Sequence, residues 1–399
     1  MFEPGLNNSR IRSYNKRVLL TLIYQHKQVS KSLLATQTGL SIPAVGNILE
    51  ELLAERLIDH LSEGLSKRGV SGGSYQIAQN NRLILCMNVT PTGIESLTVD
   101  SRIMPQETLC SSGTEAPHPQ ALLQAIERIY YARRKQFPGW RIDLALAIHG
   151  QVDPVTGVSQ TMPQAPWKEP VEIKYLLEEK LDTRVLLDND CVMLALAEKW
   201  QNAENSRDFC VINVDYGIGS SFVINRQIYR GSLYGSGQIG HTIVNPDGAA
   251  CDCGRYGCLE TVASLTALKK RVRTWYKSQP PGETGIDWDT LTSAQLIKRY
   301  HEGDRLIQGW VEQAANAIGL SLYNFLNILN INQIYFYGRC CAFGDRWLQS
   351  IIRQTGANPF DSSDPHMVNA THIGFGQLSR TQQVMGIGYL YAEKALAGV

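Results

Sequence analysis

HTIVNPDGAACDCGRYGCLE, residues 241–260, packs three cysteines as C-x-C-G-x-x-G-C (Cys251, Cys253, Cys258), with His241 ten residues upstream. Three thiolates and one imidazole are the donors a closed tetrahedral zinc site requires, because zinc takes soft sulfur and borderline nitrogen. Gly254 and Gly257 let the backbone turn tightly enough for ligands two and five residues apart to meet on one ion. Reduced cysteines in an ordinary turn would account for neither the histidine nor the glycines. Four protein ligands leave no open coordination position, so the expected Zn2+ is structural and not catalytic.

The chain around this segment has 399 residues, enough for two or three domains. Its net charge of +1 carries no global polyanion signal, yet the average conceals an asymmetry. Between Pro4 and Leu49 stand six basic residues (Arg10, Arg12, Lys16, Arg17, Lys27, Lys31) and no Asp or Glu. A one-sided run of this kind fits a nucleic-acid footprint. Nine cysteines, scattered apart from the 251–258 cluster, fit a reducing cytoplasm better than a disulfide framework. The N-terminus lacks the apolar core of a signal peptide, and no apolar run is long enough to span a bilayer. The expected location is cytoplasmic, with no membrane partner.

Within the basic run, Ser13–Gln25 has helical period, with Tyr14, Val18, Leu19, Leu22 and Ile23 on one face. Ser30 caps a second helix, KSLLATQT, which ends at Gly39. Ser41 caps a third, IPAVGNILEELLAERL, with Pro43 in its first turn. The spacing Ala35, Gly39, Val45, Ile48 is that of a helix-turn-helix: a small residue for close approach, a left-handed turn, and two apolar anchors. SKRGVSGGSYQIA after it reads as a Gly-rich hairpin, a wing. In a major groove the third helix would offer Ser41, Ala44, Gly46 and Asn47 to base edges, with Asn47 the best candidate for a specific contact. Arg10 and Lys31 are the candidate phosphate contacts. Gly46 stands out, since glycine weakens a helix and offers no side chain.

From Leu83 onward apolar strands alternate with amphipathic helices. LILCMNV, GIESLTVD, DLALAIHG, RVLLDND and NQIYFYG read as strands, with DFCVINVDYGIGSSFVIN a hairpin. PQALLQAIERIYYARRK, PVEIKYLLEEKL and CVMLALAEKWQN read as helices. This succession predicts mixed α/β sheets covered by helices, in two domains facing each other across a cleft. Asp153–Gly157 and Gly217–Gly219 would line that cleft. KSQPPGETGIDWD and GANPFDSSDPH read as surface excursions, and no internal repeat is evident.

The order of helix-turn-helix, G-Q-V-D-P-x-T-G (from Gly150), N-D at a strand end, G-x-I-G-H and C-x-C-G-x-x-G-C-x-E resembles the ROK family of repressors, open reading frames and kinases. The likeness covers nearly the whole chain, and its N-terminal winged helix points to the branch resembling the xylose and N-acetylglucosamine repressors. It implies two actin-like, ribonuclease-H-like α/β lobes with a cleft between them. The implied division is a winged helix-turn-helix at 1–80, a first lobe at 81–193 plus 382–399, and a second lobe with the zinc site at 194–381.

In the sugar kinases of that family the aspartate matching Asp190 is the general base. The sugar-site positions match Gly150, Asn189, Asp190, Gln238, His241 and Glu260. Departures sit at the nucleotide elements. The kinases carry D-x-G-G-T where this chain has Asn88-Val89-Thr90-Pro91-Thr92, so the carboxylate and paired glycines are absent and Pro91 removes an amide donor. Asp215-Tyr216-Gly217-Ile218-Gly219 is better kept, and Tyr337-Gly338-Arg339-Cys340 replaces a glycine run with bulk. Gln238 stands where the family has a sugar-contacting glutamate. The expectation is a non-enzymatic regulator in which Asp190 is vestigial: a double-stranded DNA operator, a sugar or sugar-phosphate effector, and a homodimer or homotetramer. A bifunctional ATP-dependent sugar kinase with a DNA-binding head is the alternative.

Overall fold

Polar caps place the first helices of this computed structural model, which describes residues 7–61, 73–114, 116–202, 207–278, 290–356 and 371–399. Asn7 accepts the Arg10 N–H and starts α1 (Asn8–His26) ahead of the expected Ser13. Ser30 caps α2 (Lys31–Thr38), and Gly39, at φ 69°, ends it by donating to Ala35 O. Ser41 caps α3 (Ile42–Ala54), which stops short of the expected Leu57 because Arg56 turns left-handed at φ 56°. The apolar face of α1 is rotated from expectation: Leu19, Leu20, Ile23 and Tyr24 are buried, while Tyr14 is exposed. Strands β1 (Val29–Ser30), β2 (Ile58–Leu61) and β3 (Ser74–Ile77) form an antiparallel sheet in the order β1-β3-β2. Helix, strand, two helices and two strands in this succession are a winged-helix order. The tip of the expected wing, at 62–72, lies outside the described residues.

The chain divides into two units, one of Met1–Ala203 with Leu378–Val399 and the other of Glu204–Gln377. Beyond the head, the first unit is built on β4 (Arg82–Thr90), β5 (Gly93–Asp100), β6 (Cys110–Gly113), β7 (Arg141–Ile148) and β10 (Val185–Asn189), ordered β10-β7-β4-β5-β6. β4, β7 and β10 run parallel, while β5 and β6 are antiparallel additions. A small hairpin, β8 (Gln151–Asp153) with β9 (Val158–Thr161), follows β7. Helices α4 (Pro119–Gln136) and α5 (Ile173–Leu181) cover one face, where Leu85, Met87, Leu144, Leu146, Ile126 and Leu177 make the core. The fully buried alternation of β4 and β7 is what a central strand between two helical layers demands. α6 (Asp190–Gln201), α12 (Arg380–Met385) and α13 (Tyr389–Ala397) pack together, so the C-terminal segment returns to this unit.

The second unit carries β11 (Phe209–Val214), β12 (Ile218–Ile224), β13 (Gln227–Tyr229), β14 (Gln333–Tyr337) and β15 (His372–Phe375), ordered β13-β12-β11-β14-β15. Its helices are α7 (Glu260–Ala263), α8 (Leu265–Lys277), α9 (Ser293–His301), the 25-residue α10 (Arg305–Leu329) and α11 (Asp345–Thr355). β11 pairs antiparallel with β12 and parallel with β14, the same pattern that β4 makes with β5 and β7. Two sheets of one topology are thus present although the sequence shows no repeat. Strand order constrains only which positions are buried, and many side chains satisfy that. This is the ribonuclease-H-like order expected of both lobes. Among the described residues no helix is long and apolar enough to cross a membrane.

Candidate functional site

In the second unit the residues of the 241–260 segment meet. The donor atoms of His241, Cys251, Cys253 and Cys258 all lie within 4.8 Å of one another. Cys251 Sγ is 3.6 Å from His241 Nδ1, and Cys253 Sγ is 3.6 Å from Cys258 Sγ. Tetrahedral coordination with metal–sulfur bonds of ~2.3 Å sets ligand atoms about 3.8 Å apart, so the donor set fits a four-coordinate cation. Gly257, at φ 70°, is obligatory: a Cβ there would stand 1.5 Å from Asn245 O. Burial pushes the Cys251 thiol up, and the Glu260 carboxylate, whose Oε1 accepts from its Sγ at 3.1 Å, adds to this. A bound dication would act in the opposite direction, favouring thiolate.

Next to the cluster, two glycines press the G-Q-I-G-H segment onto β12. A Cβ on Gly237 would lie 2.0 Å from Ser220 O, and one on Gly240 2.2 Å from Ile218 O. Gln238 is exposed, whereas His241 is half-buried with Nδ1 3.5 Å from Glu260 Oε1. The ring nitrogen that faces the cysteine cluster is Nδ1, 3.6 Å from Cys251 Sγ. Gly217, on the turn after β11, faces Glu260 Oε2 at 3.4 Å from where its Cβ would be. On the same turn Asp215 Oδ1 accepts from Arg339 Nη1 at 2.7 Å, and the Arg339 guanidinium lies 4.7 Å over the Tyr216 ring. Sequence reasoning named both residues but missed their pairing.

In the first unit the parallel pairing of β7 with β10 brings Ile148 opposite Asn189, so the two strand ends lie side by side. Asn189 Nδ2 donates to Gly150 O at 2.6 Å, and Asn189 Oδ1 caps α6 through Cys191 N at 2.7 Å. Asp190 opens α6 and is buried, with Oδ2 2.8 Å from His149 Nδ1. His149 was not anticipated. Its position immediately before Gly150 at a strand end was the available signal. Gly150, at φ 100°, could hold no side chain, because a Cβ would stand 2.2 Å from Thr161 O. Asn88 is buried on β4 and donates through Nδ2 to Glu95 Oε2 at 2.9 Å. Glu95 in turn accepts from Arg380 Nε at 2.8 Å.

On the head, Ser41 and Asn47 are exposed and Ala44 half-buried. Gly46 is buried, and a Cβ there would stand 3.2 Å from Lys31 Nζ, the end of a flexible side chain on α2. Arg10 is exposed on α1. Two members of the basic run are committed inward to α3, Arg12 to Glu51 and Lys16 to Glu55 at 2.5 Å.

The family model of the ROK family matches residues 87–386. The chain is 63% identical over 391 residues to "Uncharacterized protein YphH" of Escherichia coli (strain K12), covering 98% of each. It is 24% identical over 352 residues to the xylose repressor of Caldicellulosiruptor bescii, covering 86% of this chain and 88% of that one. A solved ROK-family transcriptional regulator, a homolog of the E. coli MLC protein, superposes with a TM-score of 0.75 at 20% identity, over 97% of this chain and 100% of that one. A ROK-family glucokinase from Streptomyces griseus in complex with glucose and AMPPNP gives 0.64 at 20% identity, over 78% and 99%. The long family match and the close full-length relative agree, and the chain belongs to the ROK family.

Proposed function

We propose that this protein is a sugar-responsive, DNA-binding transcriptional regulator, a repressor of carbohydrate-use genes, with a sensor derived from a sugar kinase. Residues 1–80 bind an operator through α3, and the residues proposed to contact a sugar or sugar phosphate are Gly150, Asn189 and Asp190 in the first unit and Gln238, His241 and Glu260 in the second. Paired donors and acceptors of this kind suit the hydroxyls of a pyranose. The xylose repressor's name supports this reading, as does the fact that the transcriptional regulator matches 97% of the chain where the glucokinase matches 78%. Zn2+ held by His241, Cys251, Cys253 and Cys258 has a structural role, fixing the loop that carries His241 and Glu260.

The observation that carries the proposal is the course of α6. It begins at the Asn189 cap and Asp190, and near its other end Trp200 stacks on Tyr389 at 5.1 Å and 3°. The same indole meets Tyr24 of α1 edge-on at 5.7 Å. One rigid helix therefore links the proposed ligand groups to the DNA-binding head, and a ligand that favours one setting of α6 biases the packing of α1. A homodimer or homotetramer would present two heads to an inverted-repeat operator. The test is binding of the purified protein to fragments of its own promoter region across a salt series, with and without a sugar panel. Absence of any salt-dependent, fragment-specific binding would sink the proposal.

The kinase reading draws support from the His149–Asp190 contact, which orients a carboxylate with Oδ1 still available to a hydroxyl proton. Against it stand the neutral Asn88 and the Arg339 guanidinium on Asp215. ATP-dependent phosphorylation of a hexose, abolished by Asp190→Asn, would establish it; the regulator reading expects none.

A further inference from the structure

A cavity of about 760 Å³ lies where the head meets the sheet of the first unit. Tyr24, Arg56 and Ile77 line it from the head, and Arg82, Arg184 and Lys394 from β4, the start of β10 and α13. Its volume falls in the range of small-metabolite sites. What sets it apart is charge. Arg82 Nε is 3.2 Å from Asp143 Oδ2, but that one buried carboxylate also serves Arg141 Nε at 3.4 Å. Arg184 lies 5.4 Å over the Tyr391 ring, and Lys394 follows Tyr391 by one helical turn on α13. Among the described residues, Arg56, Arg184 and Lys394 form no ion pair. The acidic side chain on the wall, Glu55, is committed to Lys16. Burial holds the Lys394 ammonium below its ordinary value, and Arg184 and Lys174 push it the same way against Glu178. Arg56, Arg184 and Lys394 gathered around one cavity repel one another, a cost that a bound anion reduces.

We propose that this cavity is a second ligand site, separate from the sugar residues, and that it takes a small multiply charged anion, an organic phosphate or dicarboxylate. Arg184 and Lys394 hold one end of the anion from the sensor side, and Arg56 closes on it from the head. Guanidinium pairs suit planar or tetrahedral oxyanions because their N–H groups bond two oxygens at once. An occupant bonded to both sides ties the head to the lobe beneath it. This inference is independent of the proposed sugar site.

The test uses the full-length protein at constant ionic strength, with inorganic phosphate, glycerol 3-phosphate and succinate as probes. Glucose is the neutral control, and sodium chloride is matched throughout. Thermal melts and calorimetry should show saturable binding of one anion per chain, with a rising melting temperature. The Arg184→Gln/Lys394→Gln double variant should bind at least tenfold more weakly, with its ligand-free melt and circular dichroism kept. Should the double variant fail to fold, Lys394→Gln alone, at an exposed position, should still weaken binding about threefold, roughly 0.7 kcal/mol. Phosphate compounds binding where succinate does not would assign the site to phosphate, and the reverse to dicarboxylate. No saturable binding of any probe, or equal binding by the variants, overturns the proposal. So does an equal loss of DNA affinity in the variants with and without anion, which would assign these cations to the DNA backbone.

Discussion

The two central sheets share one strand order and one pairing pattern, yet their first turns are built in opposite ways. In the first unit, β4 and β5 close on Thr90-Pro91-Thr92-Gly93, where Thr90 Oγ1 donates to Gly93 O at 2.8 Å. The position before the turn holds an amide, Asn88, bonded to Glu95 directly opposite on β5. In the second unit, β11 and β12 close on Asp215-Tyr216-Gly217, and the Asp215 carboxylate accepts from Arg339, two residues past the end of β14. One turn is preceded by an amide bonded to a carboxylate, and the other carries a carboxylate bonded to a guanidinium. A shared topology thus fixes where a loop lies and leaves its chemistry free.

Four substitutions probe this contrast. The largest effect is expected at the Cys/His loop of the second unit, whose donors could hold a metal ion. Cys258→Ser, at a fully buried position, should lose the metal and about 4 kcal/mol of stability, with the second unit melting before the first. Metal content and urea midpoints measure this, and an unchanged midpoint in a metal-free variant would break the structural assignment. Trp200→Ala, in the first unit, should cost about 3 kcal/mol. Sugar binding should survive while its effect on DNA affinity is lost, and a retained DNA response would disconnect α6 from the head.

Asn88→Asp places a charge before the first turn beside Glu95, at an expected cost of about 2 kcal/mol. Burial and a like charge raise the folded-state pKa of the new group, so the penalty should be small below the unfolded-state value of about 4 and grow as pH rises from there through the raised one. Denaturation midpoints that fall equally at about pH 3.5 and about pH 8 would contradict this. Arg339→Ala uncovers an exposed pair and should change stability by less than about 1 kcal/mol. It should also leave ATP binding undetectable by calorimetry, because the first turn stays closed. If ATP then binds, Arg339 alone was the barrier.

Local chemistry was legible in the sequence. The Ser30, Ser41 and Asn189 caps and the Gly39 turn act within four residues of themselves, and all stand where their residue types suggest. The metal cluster was legible for the same reason, its donors lying within eighteen residues from His241 to Cys258. Weak strands were not. β6 reads Cys-Ser-Ser-Gly and is exposed throughout, so no hydrophobic alternation announces it, and β1 has two residues. Side-chain pairs joined by sheet order were invisible as well: His149 and Asp190 are 41 residues apart, and Asp215 and Arg339 are 124 apart.

The return of the C-terminal segment has a consequence in time. Lys27 at the end of α1 donates to Arg102 O at 2.8 Å and sits 5.4 Å over the Tyr389 ring, a residue made 362 positions later. At ~5–20 residues per second, a nascent chain waits about 20–70 s between synthesising the head and synthesising the aromatic surface on which it rests. During that interval the head can fold from its own three helices and three strands, but the aromatic surface it packs on is not yet made. The contact between the end of α1 and Tyr389 is thus a property of the finished chain alone.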